Sequence, residues 1–197
     1  RLWFTGKEQP ESCKALFEAA LSAGIISEQD IYRRLRLALE GGNVSLATQL
    51  AARLDGNYEV LVPALKSAST DADPHLERLR LDQDEEGQRF IALYALQRLA
   101  KQSPDLAMAH WTKINANFPK ADQQYFYGWL AYEAARNLDR RASGWFKSAG
   151  NALNEQQAAW RVRAALRAQD WPEVLTGVNA MSDTQQREST WIYWKAR

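Results

Sequence analysis

Apolar residues recur at three- and four-residue intervals along almost the whole chain, and no stretch keeps a two-residue alternation with β-branched side chains. The pattern predicts helices throughout. Glu11 to Ala23 places Leu16, Phe17, Ala20 and Leu21 on one face, with Gly24 as a stop. Ser27-Glu-Gln-Asp30 reads as a capping box ahead of a helix carrying Ile31, Leu35, Ala38 and Leu39 and stopping at Gly41-Gly42. Asn43 caps the next helix, with Leu46, Ala47, Leu50 and Leu54 inward and Gly56 ending it. Tyr58 to Ala68 is a shorter helix containing Pro63, and Ser69 to Pro74 reads as a loop.

The second half continues in the same way. Glu85 to Lys101 is apolar over too wide an arc for a surface helix, as is Ala121 to Asn137, so both are expected to pack on two sides. Ser103-Pro104 opens a helix that runs to Phe118, Asp139 is placed to cap one carrying Trp145 and Phe146, and Asn154 caps Glu155 to Ala168. Asp170-Trp-Pro172 opens a helix through Val174, Leu175 and Val178, and Ser182 opens the last. About a dozen helices on short turns, several packed on both sides, predict an all-α fold of helix pairs stacked as an α-superhelix. Arg34 to Asn43 aligns without gaps on Arg161 to Asp170, each reading as a helix, a tight turn and a capped returning helix. The 34-residue tetratricopeptide pattern does not recur.

Composition narrows the function classes. In 197 residues, 25 Lys and Arg against 24 Asp and Glu leave a net charge of +1, which argues against a nucleic-acid binder relying on bulk charge. No apolar run approaches the ~20 residues of a membrane span. There is no phosphate-cradling glycine loop, and no cofactor is expected. Two His, His75 and His110, lie far apart without ligand-spaced neighbours; both are expected at the surface, and no metal site is expected. Cys13 is read as a small buried hydrophobe or half of a disulfide completed outside this chain. The acidic run Asp82 to Glu86 reads as favourable charge at a helix start. The clusters around Arg34, Arg140 and Arg163 read as solvated faces or partners of acids, with an anionic-polymer groove as the weaker reading. Eight Trp and seven Tyr are the most unusual feature. Trp129, Trp145, Trp160 and Trp194 follow the apolar periodicity and are assigned to packing, whereas Trp171 stands in a turn beside Pro172 and is a candidate contact for sugar rings. The start at Arg1 and the close on Trp191-Ile-Tyr-Trp194-Lys-Ala-Arg197 are read as an internal piece of a longer protein, with residues 1–197 forming one superhelical domain.

Four strings in order resemble the α-superhelical region of bacterial soluble lytic murein transglycosylases. They are Leu2-Trp3 to Phe17 with Thr5-Gly-Lys7 inside, Ile31 to Asn43, Trp160 to Trp171, and Trp191 to Arg197. The resemblance implies a periplasmic parent enzyme that cleaves the N-acetylmuramic acid–N-acetylglucosamine bond of peptidoglycan and leaves a 1,6-anhydro end. One Glu of a C-terminal lysozyme-like domain serves there as acid and then base. The Glu-Ser pairs here, Glu11-Ser12 and Glu188-Ser189, lack the Gly-Leu-Met-Gln string that marks that acid, so no catalytic residue is assigned and the catalytic domain is expected outside this chain. The resemblance further implies that Cys13 pairs with an upstream Cys, that glycan strands and other cell-wall enzymes are the partners, and that this region is a scaffold and glycan guide. Arg34, Arg163 and Trp171 are its candidate glycan contacts. A free-standing helical-repeat adaptor for proteins is the alternative reading.

Overall fold

The computed structural model describes residues 2–54, 58–81 and 86–197. Among these residues there are thirteen α-helices, one 3-10 turn and no strand, so the fold is all-α. Contacts divide the chain into two compact units, Arg1–Ala95 and Leu96–Arg197.

The first unit holds α1 (Glu11–Ser22), α2 (Glu28–Glu40), α3 (Val44–Ala51), α4 (Tyr58–Thr70), α5 (Ala72–Arg78) and the start of α6 (Glu86–Gln102). The capping box forms as expected: Ser27 Oγ accepts from the Asp30 amide while Asp30 accepts from the Ser27 amide and hydroxyl. Its core is built of Ile31, Tyr32, Leu35, Ala38 and Leu39 from α2 with Leu46, Ala47 and Leu50 from α3. Helix α4 continues through Pro63 to Thr70, and α5 follows after Asp71 alone, so the segment expected as a loop is mostly helical. Its loop-forming residues instead sit in last and first turns, where polar side chains satisfy free backbone groups: Ser69 and Thr70 donate to the Lys66 carbonyl. Gly56 and the acidic run from Asp82 to Glu85 lie outside the described residues.

The second unit begins within α6 and adds α7 (Pro104–Ile114), α8 (Lys120–Arg136), α9 (Ala142–Ala149), α10 (Glu155–Ala168), α11 (Trp171–Asn179), α12 (Asp183–Gln186) and α13 (Ser189–Ala196). The single helix expected after Ser182 is thus two short ones. Helix α8 pairs with α9 and α10, and α10 with α11. Small residues allow the approach: Ala131, Ala134, Ala135, Ala142 and Phe146 form one cluster, and Ala158, Val162, Ala165, Val174, Val178 and Trp191 another. Trp111, in α7, stacks on Phe126 of α8 at 4.3 Å between ring centroids. Asp139 accepts from the Arg141 amide, two residues on, rather than capping α9 from the adjoining position. Leu175 is exposed, not inward.

The aligned segments share their turn atom by atom. Gly42 donates to Leu39 and Asn43 to Ala38; Gln169 donates to Leu166 and Asp170 to Ala165. Gly42 and Gln169 hold the left-handed corner, and Asn43 and Asp170 then cap the returning helices through the amides of Leu46 and Glu173. Leu138 turns the chain between α8 and α9 by the same pair of bonds, to Ala135 and from Asp139 to Ala134.

Both histidines are buried, His75 at 8% and His110 at 5% exposure, against the surface position expected. An imidazole ring is half apolar and can pack inside, and spacing between His residues says nothing about that.

Candidate functional site

Helix α10 builds one side of a groove in the second unit. Glu155, Ala159 and Arg163 recur every four residues, with Gln156 and Trp160, themselves four apart, alongside them, so all five share one broad face. Tyr132 of α8 stands opposite, and Gln185, Glu188 and Trp191 close the groove from α12 and the start of α13; its volume is about 360 Å³.

Aromatic edges organise the floor. The Tyr132 and Trp160 rings meet edge to face, 6.4 Å apart at 89°. The Arg163 guanidinium lies 5.3 Å from the ring centres of both Trp160 and Trp191. Trp160 is only half-buried: it packs on the Ala131–Phe146 cluster and also lines the groove, so its assignment to packing alone is incomplete. Trp191 is 2% exposed, and its indole N–H has no acceptor among the described residues. The polar rim is ordered: Gln185 donates to the Glu155 carbonyl at 2.8 Å, and Ser182 donates to the Glu155 carboxylate at 3.1 Å.

Such a groove offers aromatic surface, two carboxylates, two amides and a cation. It can stack on an apolar face and hydrogen-bond to hydroxyl and amide groups around it. No group of three or more His, Cys, Asp or Glu residues suited to a metal ion occurs among the described residues.

The other sequence candidates lie elsewhere. Trp171 is 49% exposed and stacks on Trp194, with centroids 6.5 Å apart, on a ledge of α11 and α13. Arg34 is 4% exposed, not on a solvated face; its guanidinium lies 4.3 Å from the Trp3 ring centre and donates to the Lys7 carbonyl at 3.4 Å. Its sequence counterpart Arg161 is also buried and donates to Glu173 of α11 at 2.7 Å. Cys13 is a free, half-buried thiol on α1. Sequence reasoning missed Tyr132, Glu155, Gln156, Gln185, Glu188 and Trp191. The available signal was the single face of α10 that mixes acid, amide, aromatic and cation.

No protein-family model matches the chain. The soluble lytic murein transglycosylase of Escherichia coli K12 is 27% identical over 97% of the chain, and that of Salmonella typhimurium 27% over 85%. The chain is similar over nearly its whole length to soluble lytic murein transglycosylases. It spans only 28% of the length of the Escherichia coli protein. The lytic transglycosylase Slt of Pseudomonas aeruginosa, solved as an inactive mutant, has the same fold over 99% of this chain and 32% of its own, with 25% identity and a TM-score of 0.68. The 70-kDa soluble lytic transglycosylase of Escherichia coli matches in fold over 98% of this chain and 32% of its own, with 23% identity and a TM-score of 0.61. The transglycosylase likeness therefore covers every element described above. Among the described residues no helix is long and apolar enough to cross a membrane.

Proposed function

We propose that this chain is the superhelical, non-catalytic part of a periplasmic lytic transglycosylase, and that it holds and guides peptidoglycan glycan strands. The parent enzyme cleaves between N-acetylmuramic acid and N-acetylglucosamine and forms the 1,6-anhydro product in a domain outside this chain. Similarity over nearly the whole chain to transglycosylases supports the peptidoglycan connection. The observation that carries the guiding role is the groove of Tyr132, Trp160 and Arg163, aromatic on its floor and polar on its rim.

In this reading the exposed part of Trp160 stacks on a sugar ring. Glu155 and Glu188 accept from ring hydroxyls, and Arg163 donates to an acetamido carbonyl. The Trp171–Trp194 ledge gives a second stacking surface. In this reading both carboxylates bind rather than react: Glu155 already accepts from Ser182, and Glu188 lines the groove as a second acceptor.

The test is titration with an N-acetylglucosamine oligomer followed by tryptophan fluorescence. Saturable quenching that Trp160→Ala abolishes and Trp129→Phe leaves intact is the expected result. Equal binding by wild type and Trp160→Ala would overturn the groove assignment.

A further inference from the structure

A second cavity lies in the first unit, bounded by the segment before α1 and by α1, α2 and α3, with a volume of about 440 Å³. Its walls are apolar at Trp3, Phe17, Leu46 and Leu50. Its charges are mostly closed on one another: Lys14 holds Glu11 at 2.8 Å, and Arg53 holds Glu18 through both guanidinium nitrogens. Among the cations on this lining Arg34 is the exception. It is more than nine-tenths buried and borders the cavity, yet none of its interactions among the described residues is with a carboxylate. Among the described residues its Nε has no partner and its one acceptor is the Lys7 carbonyl at 3.4 Å, while Trp3 and Phe17 present ring faces to it.

Arginine cannot shed its proton to escape burial, so a buried guanidinium is normally matched by an acid. Here burial and the like charge of Arg53 both work against the charged form. We propose that this cavity binds a small ligand through a single carboxylate, which pairs with Arg34 while an apolar body lies along Phe17, Leu46 and Leu50. Glu8, on the same lining, adds a negative charge that works against further negative charge on the ligand. The volume suits a dipeptide or a sugar acid, since pockets for small ligands start at about 300 Å³. This site is independent of the Trp160 groove, which lies in the other unit.

The experiment uses calorimetry and the Arg34 Nε–Hε resonance of the chain, with three probes: alanyl-leucine, its C-terminal amide, and N-acetylmuramic acid. The expected result is that at least one acid binds and moves the Arg34 resonance. The amide should bind at least about tenfold more weakly, the loss expected when a charge-assisted hydrogen-bond partner is removed. Whichever acid binds identifies the source of the carboxylate. Arg34→Lys keeps the charge and should retain weakened binding of that acid, and Arg34→Gln should lose it. Should Arg34→Gln fail to fold, the wild-type resonance and Arg34→Lys decide. Acid and amide binding alike, or no acid moving the Arg34 resonance, would overturn the proposal.

Discussion

Gly42 and Gln169 occupy the same left-handed corner, φ 73° and 57°, in two helix–turn–helix pairs whose caps, Asn43 and Asp170, share φ −85°. One position has the residue that tolerates this conformation and the other does not. A side chain held there costs about 1 kcal/mol. Gln169→Gly should therefore stabilise the fold by about that amount. Gly42→Ala, with open space around its Cβ but the same φ, should destabilise it comparably. Urea unfolding midpoints moving in the same direction for both variants would contradict this.

Arg161 and Glu173 join the same turn from inside, at 2.7 Å, with Arg161 also within reach of the Gly150 carbonyl and Asn151. Glu173→Ala strands a buried cation and should cost about 3 kcal/mol or more. Arg161→Met combined with Glu173→Leu should cost clearly less than Glu173→Ala alone. A double-mutant cycle in urea reads this directly, and strict additivity would show that the pair is not coupled.

Gly177 of α11 sits where a Cβ would come within 2.7 Å of Val162 Cγ2 on α10. Gly177→Ala should destabilise by about 1–3 kcal/mol, the usual cost of overpacking. A companion Val162→Ala should recover part of that loss, and no recovery would mean that the two helices pack differently.

His75 carries a pH dependence of known sign. Burial first, and the charge of Arg78 second, hold its imidazole below the ordinary 6.5. The unfolded chain then takes up the proton at higher pH than the fold, so this contribution is present above 6.5 and is lost as pH falls toward the lowered value. Glu133 acts in the opposite sense: burial raises its carboxyl above 4.5, so the fold loses stability as pH rises from there through the raised value. His75→Gln should flatten the fall in thermal midpoint below pH 6.5 relative to wild type. An unchanged slope would show that His75 does not titrate differently in the fold.

Much of this architecture was legible because it is local. Ser27, Asn43, Ser103, Asn154, Asp170 and Ser182 each accept an amide three residues on, a bond that sequence spacing alone determines. The turn aligned at Gly42 and Gln169 was legible for the same reason. The groove was not. Apolar periodicity puts Trp160 on the inward face of α10, but it does not reveal that the packing leaves part of that ring beside Tyr132 and open to the groove. Nor does spacing distinguish Arg34, buried under Trp3, from its exposed neighbour Arg33.

The most direct measurement of the glycan-guiding account is co-sedimentation of the chain with purified sacculi, with the soluble products analysed by mass. The account predicts that the chain sediments with sacculi, that Trp160→Ala reduces this, and that no 1,6-anhydro muropeptides appear above a buffer control. Release of 1,6-anhydro products that Glu188→Gln abolishes would contradict it, because a catalytic acid would then stand in the groove itself.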